Sequence, residues 1–412
     1  MWRFAGLISV FVQVVLVYSL PSNIEETLFN VTGENLRNII EDKFSQPRHH
    51  LESLSDYKDD ARQFIKDQFE LFGLEVIIHS FSTEHDMIEG SNVIGVLEGD
   101  MSGTPDDKIT LVLAHYDTYR HTSGVDDNGS GVAAMLEIAK ELTKQECNHK
   151  YTTVFAAIDM DVKESADKVR SACYSRIACG TSAFMLSWLK PYLEEVGNPI
   201  LNVALILESI MNYDTTPESQ IIPTKFKSTF PSAATEVEAN QNRGVFLGMI
   251  GRRLESDVTT KIAEHWKSLP NPEFVIHKLE LPIDAIPNQI EQTLYQEYML
   301  NSNFFFWNEE GMKAVYFTDT RQSRGIMNEC YRMMCDDVHT ITDEKLQFLA
   351  KTVHSLKNYL HDFSETDPTT CKQDEDIELV VQAGQVEAGD DANYQRVSYV
   401  TMVTMVLLSI AF

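Results

Sequence analysis

The sequence has few positively charged residues compared with its negatively charged ones. Its 412 residues include 34 lysines and arginines against 62 aspartates and glutamates, a formal net charge of −28. No lysine- or arginine-rich stripe is present, which excludes the basic footprint that nucleic acid requires and a polybasic patch for anionic lipid. The charge remains compatible with an acidic enzyme, a binding protein, or a matrix protein whose acidic surface associates with calcium.

Several motifs that carry chemistry are also missing. The sequence contains no Cys-x-x-Cys pair, no Gly-x-Ser-x-Gly elbow and no glycine-rich phosphate loop. These absences exclude a zinc finger, a serine hydrolase of the elbow type and a nucleotide-phosphate cradle. No internal repeat is visible either, so a solenoid or propeller is not expected.

Cysteines are few but even in number, and six of them fit disulfides in an oxidising compartment. The close pairs Cys173/Cys179 and Cys330/Cys335 are natural local loops, although six cysteines allow many other pairings.

Both ends of the chain resemble processing signals. Residues 1–22 combine an early arginine, an apolar stretch and small residues, which predicts a secretory signal peptide. Residues 396–412 form an apolar tail shorter than the ~20 residues of a spanning helix. Small residues and a polar spacer precede this tail, a pattern that favours a GPI-anchor signal over a short membrane tail. We therefore expect a secreted or cell-surface glycoprotein, with Asn30-Val31-Thr32 as a glycosylation acceptor.

One domain, residues 23–360, is predicted between these ends, followed by an acidic stalk over residues 361–395. Its apolar runs alternate with amphipathic stretches, which predicts an α/β fold whose mostly parallel sheet is covered on both faces. The strands that matter most are predicted at residues 109–114, 153–158 and 201–207, and helices at residues 131–142 and 343–360. In such sheets, chemistry gathers beyond the carboxyl ends of the strands.

A histidine and several carboxylates follow the first of these strands. His115-Tyr116-Asp117-Thr118 stands at its end, and Gly124-Val125-Asp126-Asp127-Asn128-Gly129-Ser130-Gly131 opens the next helix. An imidazole and carboxylates in a glycine-rich turn are zinc-ligand chemistry. Asp117 is placed to accept the second ring N–H of His115 and to fix its tautomer, so we count it with the catalytic groups.

These two motifs resemble metallopeptidase family 28, which includes zinc aminopeptidases, glutamate carboxypeptidases and glutaminyl cyclases. The resemblance extends to His339-Thr340-Ile341-Thr342-Asp343 and so covers most of the chain. It implies a three-layer α/β/α zinc-exopeptidase fold with a mixed, mostly parallel central sheet.

The resemblance also implies roles for individual residues. His115 would bind a first zinc ion, Asp126 would bridge two metals, and His339 would be the last ligand. Glu208 would complete the first site, where the family usually has aspartate. Asp161 would be the general base.

The sequence departs from the family at the pair that follows the strand over residues 153–158. The family has Glu-Glu, whereas this chain has Asp161-Val162, and valine has no lone pair for a metal. Residues 163–179 then intervene, with Glu164 as the nearest carboxylate. Asn301-Ser302-Asn303 replaces a Ser-Asp-His segment. These departures favour one zinc ion over two.

Two functions follow from this pattern. The first is a zinc metallo-exopeptidase of aminopeptidase type, which hydrolyses a peptide substrate with zinc-activated water. The alternative is a catalytically impaired member of the same fold that binds an extracellular protein partner or acts as an acidic matrix protein.

Overall fold

The computed structural model describes residues 22–51, 53–82, 88–144, 146–162, 180–299, 301–367 and 369–371. All of them belong to one compact unit, which ends at Cys371. Residues 361–371, predicted as the start of the stalk, therefore belong to this unit where they are described. The predicted signal peptide up to residue 21, the pair Cys173/Cys179, Glu164 and the predicted tail lie outside the described residues.

An eight-stranded sheet forms the centre of the described unit, with the spatial order β1-β2-β4-β3-β5-β8-β6-β7. The strands are β1 (Glu75–Ser82), β2 (Glu89–Leu97), β3 (Lys108–His115), β4 (Thr153–Ile158), β5 (Ile200–Leu207), β6 (Phe246–Arg252), β7 (Val275–Leu281) and β8 (Ala314–Thr318). Neighbours pair in parallel at β4/β3, β3/β5, β5/β8 and β6/β7, and antiparallel at β1/β2, β2/β4 and β8/β6. The predicted mixed, mostly parallel sheet is confirmed.

Helices flank this sheet. They are α1 (Ser22–Lys43), α2 (Ser55–Leu71), α3 (Gly131–Thr143), α4 (Gly180–Ala183), α5 (Lys190–Glu195), α6 (Thr224–Thr229), α7 (Pro231–Ala239), α8 (Ser256–Ser268), α9 (Gln289–Leu294), α10 (Asn301–Trp307), α11 (Met327–Cys330) and α12 (Asp343–Phe363). The turn Val125–Ser130, whose backbone is non-helical at Asp127 and Asn128, precedes α3, and the short π-helical segment Phe184–Leu189 precedes α5. Within the described residues, no helix combines the length and the apolar character needed to cross a bilayer.

Two apolar cores, one on each face of the sheet, explain why the central strands are apolar throughout. In β3, Val112 and Ala114 pack into one core, whereas Leu111 and Leu113 pack into the other. Successive side chains of a strand point to opposite faces, so a strand covered on both sides must be apolar at every position. The apolar run from Leu111 to Ala114 therefore ends where the sheet ends, and the next side chain is the polar His115.

The turn before α3 lies close against the end of β5, and glycine makes this approach possible. A Cβ atom on Gly131 would collide with the carbonyl oxygen of Leu207 and the side chain of Asn128. The Asn128 amide donates hydrogen bonds to the carbonyl oxygens of His115 and Leu207, at 3.2 and 2.9 Å. These bonds join the ends of β3 and β5, and thereby bring the residues that follow the two strands together.

Candidate metal centre

Three buried side chains meet beyond the carboxyl ends of β3 and β5. His115 ends β3, Asp127 lies in the turn before α3, and Glu208 directly follows β5. One ligand atom from each lies within 4.8 Å of the others. One imidazole nitrogen and two carboxylate oxygens match the three protein ligands of a catalytic zinc ion.

The Asp127 carboxylate lies between the imidazole of His115 and the guanidinium group of Arg332. Its Oδ1 lies 3.5 Å from His115 Nε2, and its Oδ2 lies 3.3 Å from Arg332 Nε. Burial acts to raise the pKa of Asp127, but the contact with His115 and the charge of Arg332 outweigh it and hold that pKa well below its usual value. Oδ1 is buried without a hydrogen-bond partner. An ionised carboxylate oxygen without a partner costs free energy, and a metal ion at this position would satisfy it.

Asp117 lies on the other side of the imidazole. His115 Nδ1 lies 3.3 Å from Asp117 Oδ1 and 3.1 Å from the Asp117 carbonyl oxygen. The same carboxylate accepts the backbone N–H groups of Asp161 and Val162, each at 3.1 Å. Asp117 therefore directs His115 Nε2 toward the cluster and fixes the segment that follows β4 beside it.

Asp126, the predicted bridging ligand, does not join the cluster. Its Oδ1 accepts the N–H of Met211 at 3.1 Å, and the side chain lies beside Asp319. Burial and the neighbouring Asp319 raise the pKa of Asp126 well above its usual value. The structure therefore corrects the assignment by one residue: the backbone of this turn directs Asp127 toward His115 and Asp126 toward Met211.

The orientation of the two aspartates is set by a third one. Asp336 accepts the backbone N–H groups of Asp126 and Asp127, at 2.8 and 3.1 Å. Its carboxyl group is fully buried. Burial and the nearby Asp126 raise the pKa of Asp336 to about 8, although both backbone bonds oppose this shift.

His339, the predicted last ligand, is not brought into the cluster by the described residues. It lies in the short 3-10 helix Val338–Thr340, and its backbone N–H donates to Asp337 Oδ1 at 2.9 Å. Its side chain is exposed, whereas the three clustered side chains are buried. A second metal site built on His339 is thus not assembled here.

Asp161 and Val162 follow β4, next to the cluster. The Asp161 carboxylate accepts the hydroxyl of Ser302 at 2.6 Å and the backbone N–H of Thr181 at 3.2 Å. Burial raises the pKa of Asp161, against the opposing effect of the Ser302 hydrogen bond. Val162 is buried and offers no ligand atom.

Sequence reasoning missed three residues at this site. Arg332 contacts Asp127, Arg321 Nη1 lies 3.6 Å from Glu208 Oε1, and Ser302 contacts Asp161. Ser302 carried a signal, since it lies in the segment where the chain departs from the family pattern. The two arginines carried none, because no motif marks them and their partners are far away in the sequence.

Comparisons with known proteins concern the fold and the segment around this site. The model of Peptidase family M28 matches residues 92–161, which span β3, the turn before α3 and β4. The search of curated proteins found no match. The LapA aminopeptidase of Legionella pneumophila has 12% sequence identity and a TM-score of 0.52, over 87% of this chain and 80% of that one. A glutaminyl cyclase of Porphyromonas gingivalis has 14% identity and a TM-score of 0.50, over 80% and 98% respectively.

At these identities, the two structures show a common fold. The chain has the α/β fold of zinc exopeptidases, and its sequence resembles metallopeptidase family 28, as predicted. The resemblance is to a peptidase-like protein, and zinc is the metal that it suggests.

Proposed function

We propose that this protein is a zinc-dependent exopeptidase of aminopeptidase type that carries one zinc ion. The observation that carries the proposal is the buried cluster of His115, Asp127 and Glu208, in which Asp127 Oδ1 has no hydrogen-bond partner. The donor types fit zinc, and the set corresponds to one metal position.

Zinc, when bound, supplies Lewis acidity and makes water a nucleophile near neutral pH. His115, Asp127 and Glu208 would hold the ion, and Asp117 would keep the His115 tautomer that leaves Nε2 free to bind. Asp161 would take the proton from the attacking water. Burial raises its pKa, which suits a general base working near neutral pH.

The contact between Ser302 and Asp161 is compatible with this role. A serine hydroxyl can either donate or accept a hydrogen bond. It donates to the ionised carboxylate in the observed arrangement. After Asp161 takes a proton, its carboxyl O–H can donate a hydrogen bond to the Ser302 hydroxyl oxygen. The two side chains are therefore hydrogen-bonded in both protonation states of Asp161.

The aminopeptidase type and the location are parts of this proposal. Among the activities of the resembled family, nothing in the sequence marks a carboxypeptidase or cyclase pocket. The segments over residues 1–22 and 396–412 support secretion with an anchor or short tail at the cell surface. The disulfides Cys147–Cys371 and Cys330–Cys335 suit an oxidising compartment.

A second candidate is a non-catalytic extracellular protein that binds a partner or calcium through its acidic surface. Val162 in place of a ligand favours it, as do Arg321 and Arg332 beside two of the clustered carboxylates. Guanidinium groups can neutralise buried carboxylates without any metal.

Metal content and hydrolysis of amino-acid 4-nitroanilides, measured on the purified mature protein, separate the two candidates. We expect one zinc ion per chain and turnover that a zinc chelator abolishes. Asp127→Asn should lose both, because an amide is a poor zinc ligand, whereas Asp284→Asn should keep both. Asp284 is an exposed carboxylate paired with Arg253 and serves as the matched control. Wild-type protein without zinc and without Asp127-dependent turnover would establish the second candidate instead.

A further inference from the structure

Arg332 occupies the side of Asp127 that faces away from His115. Asp127 Oδ1 faces His115 Nε2, whereas Oδ2 lies 3.3 Å from Arg332 Nε. In a two-metal centre, a bridging carboxylate gives one oxygen to each metal ion. Here the first oxygen serves the candidate zinc site, and the second serves a guanidinium group.

Neighbouring side chains and a closed loop hold the Arg332 side chain in position. Its Nη1 donates to the Tyr119 hydroxyl at 3.1 Å, and its guanidinium group lies over the rings of Tyr119 and Tyr331, 4.8 and 4.9 Å from their centroids. Arg332 also lies within the loop that the disulfide Cys330–Cys335 closes. Stacking and a closed loop reduce the conformations open to a long side chain, so its charge is held in place.

A second cation compensates the other clustered carboxylate. Arg321 Nη1 lies 3.6 Å from Glu208 Oε1, and its guanidinium group lies 5.8 Å from the centroid of the Tyr331 ring. Tyr331 thus lies against both arginines. Two guanidinium groups therefore balance the two carboxylates of the cluster before any metal binds.

Among the residues that the structure describes, the ligands for a second metal ion are lacking at the same place. Val162 has no ligand atom, and the exposed His339 is outside the cluster formed by the described residues. A metal ion at Asp127 Oδ2 would also meet the positive charge of Arg332. The lack of ligands and the positive charge of Arg332 thus both disfavour a second metal ion.

We propose that the guanidinium group of Arg332 takes the place of a second metal ion and supplies its positive charge, so that the centre holds a single metal. The inference rests on the proposed function, since it concerns the metal centre described there. Arg332 acts as a positioning residue: it fixes Asp127 and limits the number of metal ions. It also weakens the binding of the first ion, because two cations share one carboxylate.

Zinc titrations of the full mature chain test this inference without reference to activity. The variants are Arg332→Gln, which removes the charge, Arg332→Lys, which keeps it, and Arg253→Gln, which removes an exposed arginine elsewhere. Native mass spectrometry gives the number of zinc ions, and competition with a chelating dye gives the dissociation constant. Circular dichroism and thermal unfolding identify the variants that are folded.

We expect one zinc ion in the wild type and zinc binding that is about tenfold or more tighter in Arg332→Gln, because a neighbouring positive charge has gone. Arg332→Lys and Arg253→Gln should stay close to the wild-type value. Two ions in the wild type, or unchanged or weaker zinc binding in folded Arg332→Gln, would overturn the inference and leave the proposed function standing. No zinc in the wild type would instead overturn the proposed function, and this inference with it.

Discussion

The adjacent aspartates Asp126 and Asp127 have pKa values that are shifted in opposite directions. Asp127 is held ionised between His115 and Arg332, so its pKa lies well below the usual value. Asp126, one residue earlier, is buried against Asp319, and its pKa lies well above the usual value. One carboxylate is thus prepared for a cation, whereas burial beside Asp319 disfavours the charged form of the other. Because both residues are aspartates, the difference between them comes from their neighbours.

Asp117 offers the clearest test of how the imidazole is held. Asp117→Asn keeps the shape of the side chain but removes its negative charge beside His115 Nδ1. We expect zinc affinity to fall by about 10–100-fold, as it does when such supporting groups are lost. A chelator-competition titration of the folded variant measures this change. Affinity equal to that of the wild type would show that the Asp117 carbonyl oxygen alone fixes the ring.

Prediction from sequence located side chains correctly in space where a strand end marks the position. His115 and Glu208 stand directly at the ends of β3 and β5, and the structure brings them together. It failed where two equivalent side chains are adjacent, because the pattern does not record which of Asp126 and Asp127 points inward. Arg332 could not be found, since it lies 205 residues from Asp127 in the sequence.

At the scale of elements, continuous apolar runs gave good predictions because strands covered on both faces must be apolar throughout. The strand predicted at residues 153–158 is β4 with the same bounds, and the helix predicted at residues 131–142 is α3. β6 was missed, since Gly248 and Gly251 interrupt its apolar run and glycine is depleted in strands. The predicted start of α12, Asp343, is its first residue in the structure, where Thr342 caps the helix by accepting the N–H of Lys345.

The packing of α1 against α12 should depend on pH through His354. This imidazole is bonded to Thr32 Oγ1 at 3.0 Å and stacks on Phe29. Burial, together with the positive charges of Lys357 and Lys144, lowers the pKa of His354 from 6.5 to about 4. Because the folded state binds fewer protons than the unfolded state, this contribution to stability is present above about pH 6.5 and is lost as pH falls toward 4.

Urea unfolding at about pH 7.5 and about pH 5 measures this loss. We expect His354 to account for roughly 2 kcal/mol of the decrease in the free energy of unfolding over this range. His354→Gln, which cannot titrate, should lose about that much less than the wild type. His121→Gln, at an exposed position, should behave as the wild type does. Equal pH dependence of the wild type and His354→Gln would contradict the assignment.

At the scale of the whole molecule, two disulfides of very different span hold the described unit together. Cys330–Cys335 closes a loop with a sequence separation of 5, as predicted from the close pair. Cys147–Cys371 joins residues 224 apart and ties the end of the unit to the loop after α3. The sequence could not predict the long link, because spacing indicates only local pairs. The two bonds therefore make separate contributions: one shapes the loop that carries Arg332, and the other constrains the whole chain.

The difference in span predicts a difference in stability. In the chain-entropy account, a cross-link stabilises by restricting the unfolded state, and its effect grows with the logarithm of the loop length. We expect Cys147→Ser/Cys371→Ser to lower the free energy of unfolding by about 5 kcal/mol and Cys330→Ser/Cys335→Ser by about 2 kcal/mol. Urea titrations of both double variants under non-reducing conditions give the two values. If the variant without the long link is unfolded in water, the midpoint of its refolding in a stabilising osmolyte provides the comparison. A loss for the short loop that equals or exceeds the loss for the long link would show that local packing around Arg332, rather than chain entropy, decides the stability of the unit.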